Sequence, residues 1–111
     1  MLNERSEKID IFLEIKPQSG GDYQKKLNFI KEFRFKLSSL ISRKIYKGNV
    51  KLNVKFFFKN IYKGDVDNLL KSLLDALKLV LVKDDNQIKK INAEIIENCF
   101  IQGIAIIIEI Y

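Results

Sequence analysis

The chain has 111 residues, about the length of one domain, and its 20 basic and 14 acidic residues give a net charge of +6. Histidine is absent and Cys99 is the only cysteine, which excludes His-dependent nucleophilic triads, an internal disulfide framework and Cys-cluster zinc sites. The charge is uneven, because residues 1–63 hold 15 basic and 6 acidic residues whereas residues 64–111 hold 5 and 8. A basic surface attracts polyanions such as nucleic acid or anionic membrane, although genome composition or heat adaptation also enriches lysine.

No segment has the features of a membrane span or an export signal. The longest unbroken apolar run is Ile104–Ile108, far shorter than the roughly 18 residues that suggest a spanning helix. The first eight residues carry charges of both signs and no apolar stretch, unlike a signal peptide. Together with the single thiol, these features predict a cytoplasmic protein without a membrane partner.

The first half of the chain predicts a strand, a helix and a second strand. Apolar and polar residues alternate over residues 8–16, which indicates a strand with one buried face. Apolar residues then recur every three or four positions from Leu27 to Ile45, which indicates an amphipathic helix that stops near Gly48. Residues 50–59 alternate again, with lysines on the outer face and Phe57 among them. Phe57 is interpreted either as a base-stacking residue or as an ordinary aromatic on a partly covered sheet face.

The second half predicts a helix followed by two strands. The helix runs from about Asp67 to Leu81, and the strands lie near Ile91–Glu97 and Ile101–Tyr111. Apolar residues on both faces of the last strand indicate a central, covered position. The order β-α-β-α-β-β predicts an α+β fold, a single domain in which a mixed sheet packs against two helices.

Acidic residues cluster around the second helix. Asp65 and Asp67 are two positions apart, so an extended segment puts both carboxylates on one side, and Asp67 is also a good helix N-cap. Lys71 and Asp75 follow on one polar helix face, and Asp84-Asp85 comes after the helix. Asp75 is expected to be structural, because Lys71 and Lys78 lie one turn away.

Clustered carboxylates repel one another unless a cation lies between them. Mg²⁺ prefers oxygen ligands and is commonly held by one or two carboxylates plus phosphate oxygens, and it lowers the pKa of a bound water. A nearby lysine further stabilises negative charge as it develops. The alternative is that the Asp-x-Asp segment only caps the helix and carries solvated charge.

The same segment resembles the RusA family of Holliday junction resolvases. Three motifs carry the resemblance across residues 64–87: Asp65-Val-Asp67-Asn68-Leu-Leu-Lys71, Asp75-Ala76-Leu77 and Lys83-Asp84-Asp85-Asn-Gln87. The resemblance implies that residues 1–111 form one RusA-like domain, a homodimeric, Mg²⁺-dependent endonuclease that nicks four-way junction DNA. Members often carry several arginines before the first aspartate, whereas this chain has Asn60-Ile-Tyr-Lys63-Gly64, and lysine lacks the bidentate fork of arginine.

Residue by residue, Asp65, Asp67 and Asp85 match the metal-binding catalytic carboxylates, and Lys71 matches the functional lysine of the family. A two-fold dimer would present two identical sites to a nearly two-fold junction and make paired symmetric nicks, as DNA recombination and repair require. The lysines expected to hold phosphates without reading sequence are Lys51, Lys55, Lys59 and Lys63.

Several alternatives stay open at this point. The chain could be a non-catalytic, basic nucleic-acid-binding dimer, or a nuclease that acts on another branched DNA or on RNA. A helix from Asp67 to Leu81 is on the order of 20 Å long, so Asp85 joins Asp65 only if residues 82–91 fold back or a partner subunit supplies it. The basic stretch around Gly20-Gly21, Lys25 and Lys26 is either a DNA contact or an ordinary exposed connection.

Overall fold

Four strands and two helices follow one another in the order that the sequence predicts. The computed structural model describes residues 7–19, 21–41 and 45–111. The elements are β1 (Glu7–Leu13), α1 (Tyr23–Ser38), β2 (Val50–Phe57), α2 (Val66–Leu77), a 3₁₀ turn (Asp85–Gln87), β3 (Ile88–Ile96) and β4 (Gly103–Ile110). This order and the mixed sheet confirm the predicted α+β class. Neither helix of the described ranges has the length and apolar composition needed to cross a bilayer.

The sheet has the strand order β1-β4-β2-β3. Strands β2 and β3 are parallel, and β4 is antiparallel to both of its neighbours, β1 and β2. Strands β1, β2 and β3 therefore all run in the same direction. We call the end of the sheet where these three strands finish the carboxyl end, and the opposite end the amino end.

The core lies between the sheet and the two helices. Alternate residues of the strands form one inner face, and the apolar stripes of both helices pack on it. The largest fully buried side chains are Phe33, Phe56, Leu52, Leu69, Leu73, Leu77, Leu81, Ile104, Ile106, Ile108, Val50 and Val54. Burial of these side chains, each worth about 1.5–3 kcal/mol, holds the helices on that face.

The other face of the sheet, here the outer face, is not covered by a helix in the described ranges. Its residues line a shallow concavity formed by Asp10, Asn53, Lys55, Phe57, Asn92, Glu94, Ala105 and Ile107. The ring of Phe57 packs edge-on against Phe12, with ring centroids 6.0 Å apart. The prediction of a central last strand is confirmed, but within one protomer β4 is covered on one face only.

The first helix ends earlier than its apolar spacing predicts. It stops at Ser38 rather than near Gly48, and Leu40 is 53% exposed. The side chains of Ser38 and Ser39 donate hydrogen bonds to the carbonyls of Phe35 and Lys36, each 2.8 Å long. These hydroxyls satisfy carbonyls of the last turn, which a continuing helix would otherwise engage. Residues 42–44 of the predicted helix lie outside the described ranges.

The second helix is also shorter than predicted, ending at Leu77 instead of Leu81. Leu79 has a positive φ of 68°, a left-handed conformation that breaks the helix. The apolar spacing nevertheless continues because Leu81 and Val82 are buried in the turn that follows. The backbone that carries Leu81 and Val82 is therefore not helical, although both residues belong to the core.

Candidate active site

The carboxyl end of the sheet collects the segments with the most functional side chains. The connections over residues 14–19, 21–22, 58–65 and 97–102 all lie there, and both helices begin there. In sheets with parallel strands, ligands usually bind outside the carboxyl ends of the strands. The topology therefore places the Asp-x-Asp segment at the end where a ligand site is expected.

Asp65 and Asp67 flank the start of α2. Asp65, and not Asp67 as predicted, occupies the N-cap position, and Asp67 lies in the first helical turn. Asp65 makes no capping hydrogen bond with its side chain, and both residues are exposed. Within the described part of the chain, neither carboxylate accepts a hydrogen bond or forms an ion pair. The positive end of the helix dipole stabilises negative charge at this point.

The connection before Asp65 is held in place by Tyr62. Its ring stacks on Phe58 with centroids 4.7 Å apart, its hydroxyl donates to the Asp65 carbonyl at 3.2 Å, and its backbone N–H donates to the Glu97 carboxylate at 2.8 Å. A Cβ at Gly64 would overlap the Tyr62 ring, so glycine is required for this close approach. These contacts fix the backbone that presents Asp65.

Asp85 begins the 3₁₀ turn at the amino end of the sheet, immediately before β3. Its neighbour Asp84 is the N-cap of that turn and accepts a hydrogen bond from the Asn86 backbone N–H at 3.1 Å. Asp85 is exposed, and its carboxylate has no hydrogen-bond or ion-pair partner in the described ranges. Of the two adjacent acids, Asp85 is therefore the one available to bind a cation.

Gln87 anchors the segment that carries Asp85. Its side-chain oxygen accepts hydrogen bonds from the backbone N–H groups of Lys83 and Asp84, at 2.8 and 3.1 Å. Its side-chain nitrogen donates to the carbonyls of Tyr46 and Gly48, at 2.7 and 2.9 Å. The glutamine of the third motif is thus a structural residue that ties the Asp85 turn to the segment before β2.

The three predicted metal ligands do not come together in one protomer. Asp65 follows the end of β2, whereas Asp85 precedes Ile88, which pairs with Val50 at the beginning of β2. The length of β2 separates the two ends by roughly 23 Å at about 3.3 Å per residue. Accordingly, no group of three Cys, Asp or Glu side chains suited to a metal ion occurs within residues 7–19, 21–41 and 45–111.

The Asp65 and Asp67 pair is nevertheless a donor set that fits Mg²⁺. Both side chains offer only oxygen ligands, and neither is engaged by another described residue. Two carboxylates supplemented by substrate phosphate oxygens are a common magnesium environment in proteins. The donor atoms of the pair therefore suit such an ion, and Asp85 could join them only from a second subunit.

Lys71 and Asp75 lie on α2 beyond this pair. Lys71 is exposed one turn after Asp67. Asp75 pairs with Lys26 of α1 at 2.5 Å, so the prediction that it pairs with Lys71 and Lys78 is wrong. The expected structural role of Asp75 agrees with this contact, because the ion pair joins the two helices. The error arose because i,i+4 neighbours are visible in a sequence and contacts between helices are not.

The four predicted phosphate-binding lysines divide between two places. Lys51 and Lys55 lie on β2, where Lys51 pairs with Glu109 at 3.3 Å and Lys55 lines the outer face. Lys59 and Lys63 lie in the connection that leads to Asp65. Lys63 also lines a cavity of about 460 Å³ at the carboxyl end of the sheet.

Sequence reasoning gave no role to Arg34, which holds the far end of α2. Its guanidinium donates hydrogen bonds of 2.8 to 3.1 Å to the carbonyls of Asp75, Ala76 and Lys78. A cation at a helix C-terminus also interacts favourably with the helix dipole. Arg34 therefore helps to set the position of α2, and no local pattern around it could have shown this.

Comparison with known proteins agrees with the motifs and the fold. The model of the endodeoxyribonuclease RusA family matches residues 15–111, which include every element from α1 to β4. A search of curated proteins found no match. Because the match covers nearly the whole chain, including Asp65, Asp67 and Asp85, the chain belongs to the endodeoxyribonuclease RusA family.

Proposed function

We propose that the protein is a Mg²⁺-dependent endodeoxyribonuclease that resolves four-way DNA junctions by paired symmetric nicks in recombination and repair. The observation that carries the proposal is the pair of uncommitted carboxylates, Asp65 and Asp67, at the start of α2 in a chain of this family. Lys59, Lys63 and Lys71 surround them in the chain and supply positive charge for a phosphodiester. A cytoplasmic location, consistent with the free thiol of Cys99, completes the proposal.

The proposed chemistry assigns a task to each side chain. Asp65 and Asp67 hold the cation, which when bound supplies an activated water and neutralises charge on the phosphate. Lys71 orients the phosphate or stabilises negative charge as it develops on the phosphate oxygens. Lys59 and Lys63 hold the strand beside the cleaved phosphate. We also propose Lys51 and Lys55 as DNA contacts. They lie on β2, on a part of the surface different from that of Lys59 and Lys63.

A homodimer is part of the proposal because one protomer does not assemble the three carboxylates. A symmetric partner could bring its own Asp85 to the carboxyl end of the sheet. By the same two-fold symmetry, Asp85 of the first subunit would then join the carboxylate pair of the partner. The uncovered outer face, with Phe12, Phe57 and Ile107, is a candidate contact surface. Two identical sites would match the two opposing strands of a junction that must be nicked.

The test is a cleavage assay with labelled four-way, Y-shaped and linear duplex DNA, and with RNA, each with and without Mg²⁺. We expect Mg²⁺-dependent, paired nicks in the four-way junction. The Asp65→Asn variant should bind the junction but lose cleavage by at least about 100-fold, because it loses a carboxylate ligand of the cation. Glu32→Gln is the matched control, since Glu32 lies on α1 in an exposed ion pair that contributes little.

Other outcomes identify the alternatives. Junction binding without cleavage in Mg²⁺, unchanged by Asp65→Asn, would mean a non-catalytic nucleic-acid-binding dimer. Preferred cleavage of Y-shaped DNA or RNA would keep the active site but change the substrate. Full junction cleavage by Asp65→Asn would contradict the metal-site assignment itself.

A further inference from the structure

A cavity beside the candidate active site is lined by lysines from three separate segments. Lys16 comes from the connection after β1, Lys25 from the first turns of α1, and Lys63 from the connection before α2. The cavity measures about 460 Å³ and lies at the carboxyl end of the sheet. Its other polar side chains are neutral: Gln18, Ser19, Asn60, Tyr62 and Gln102.

The lysine side chains that line this cavity are not in ion pairs with the described residues, although the backbone N–H groups of Lys25 and Tyr62 donate hydrogen bonds to the carboxylates of Asp22 and Glu97. No Asp or Glu lines it, and none of its three lysines forms an ion pair within the described ranges. Lys26, the next residue along α1, shows the contrast because it is paired with Asp75. Three lysines around one concavity give it a positive potential, so a bound anion would lower the electrostatic energy of the site.

The position of the cavity favours a nucleic-acid strand over a small free anion. Lys63 is two residues from Asp65, and Tyr62 joins the cavity wall to the Asp65 carbonyl through its hydroxyl. Two residues of chain span at most about 7 Å. Successive phosphates on one DNA strand are separated by about 3.4 Å of helix rise, so a phosphate bound in the cavity and a phosphate bound at Asp65 could be near neighbours on one strand.

We propose that Lys16, Lys25 and Lys63 form a phosphate-binding subsite that holds the backbone of the DNA strand next to the cleaved phosphodiester. This inference rests on the proposed function and adds to it two residues, Lys16 and Lys25, that precede the family motifs. Because ammonium groups bind phosphates as point charges, the subsite positions the strand without reading its sequence.

The test measures how junction affinity depends on salt, in EDTA so that no cleavage occurs. The slope of log K against log salt becomes shallower by about 0.9 for each phosphate that the protein no longer neutralises. The double variant Lys16→Gln/Lys25→Gln removes two ammonium groups from each subunit of a dimer, so its slope should be smaller than that of the unaltered protein by about 3.6. Lys31→Gln is the control, because Lys31 is an exposed lysine on the same helix that does not line the cavity.

Two further results decide the proposal. The charge-preserving variant Lys16→Arg/Lys25→Arg should keep the slope, because the interaction with phosphate is electrostatic. A slope for the Gln double variant equal to that of Lys31→Gln, or an equally reduced slope in the Arg variant, would overturn the subsite. The readout is independent of the nuclease proposal, since a protein that binds junctions but never cleaves them would still show the change in slope.

Discussion

Asp84 and Asp85 are adjacent residues of the same type, yet they have different partners. The Asp84 carboxylate accepts a backbone hydrogen bond and caps the 3₁₀ turn, while the Asp85 side chain is exposed. A capping side chain contributes to stability, and asparagine caps about as well as aspartate. Only an uncommitted carboxylate can ligate a cation without a loss of stability. Under the proposed function, Asp84 therefore has a structural task and Asp85 a catalytic one within the same motif.

This difference predicts opposite results for the same substitution at neighbouring positions. Asp85→Asn should abolish Mg²⁺-dependent junction cleavage and leave the Tm unchanged. Asp84→Asn should retain cleavage, because asparagine preserves the cap, whereas Asp84→Ala should lower stability by about 0.5–2 kcal/mol. Cleavage assays and thermal unfolding of the three variants check the prediction. Loss of cleavage in Asp84→Asn with full activity in Asp85→Asn would reverse the assignment.

At the scale of elements, the sequence predicts strands better than helix ends. Alternation identifies strands, because successive side chains of a strand point to opposite faces of the sheet and only one face packs on the helices. Helix ends depend on local hydrogen bonds, such as those of the Ser38 and Ser39 hydroxyls, which apolar spacing does not show. Apolar residues such as Leu81 continue the spacing into a turn because the core buries them there.

In the candidate site too, the sequence shows the types of residues but not the contacts that depend on the fold. The residue types of the Asp-x-Asp segment and of Asp85 could be selected from the motifs, because their chemistry is visible in the sequence. The sequence did not show which of these acids share a site, because the distance between Asp65 and Asp85 depends on the direction in which β3 runs. The cavity lysines Lys16 and Lys25 lie far from the motifs in sequence and meet Lys63 only through the sheet topology.

The end of α2 offers a test of backbone strain. Leu79 follows the C-cap residue Lys78 in a left-handed conformation with φ of 68°, where glycine is preferred, and its side chain is 61% exposed. Leu79→Gly should stabilise the protein by about 0.5–1 kcal/mol, since relief of the strain outweighs the greater entropy of glycine in the unfolded chain. Leu79→Ala removes the same side-chain contacts and keeps the strain, so it should give no gain. Denaturant unfolding measures both, and a gain in the alanine variant alone would contradict the explanation.

At the scale of the whole molecule, the topology places the Asp65 and Asp67 pair and Asp85 at opposite ends of one sheet. The three parallel strands put both helix starts at the carboxyl end, and the connection from α2 to β3 must return to the amino end. No small movement of a loop spans the length of β2. If the strands of a two-fold partner ran antiparallel to those of the first subunit, Asp85 of one subunit would lie at the carboxyl end of the sheet of the other. Under the proposed function, the composite site explains why the enzyme would need to be a dimer.

Mixed dimers of Asp65→Asn and Asp85→Asn subunits test this arrangement. Each variant alone has no intact site. If the carboxylates act across the dimer, a mixed dimer regains one site, which combines Asp85 of the first variant with Asp65 of the second. Random exchange in an equal mixture makes about half of the dimers mixed, so about a quarter of all sites are restored.

The products of that mixture also report the arrangement. On a supercoiled plasmid with an extruded cruciform, the unaltered dimer should nick both strands and release linear DNA. A mixed dimer with one intact site can nick only one strand in each binding event, so open circles should accumulate in place of linear product. If the carboxylates act within one protomer, both sites of every mixed dimer carry a substitution, and the mixture should be as inactive as either variant alone. Restored nicking that yields open circles therefore requires a site shared between subunits.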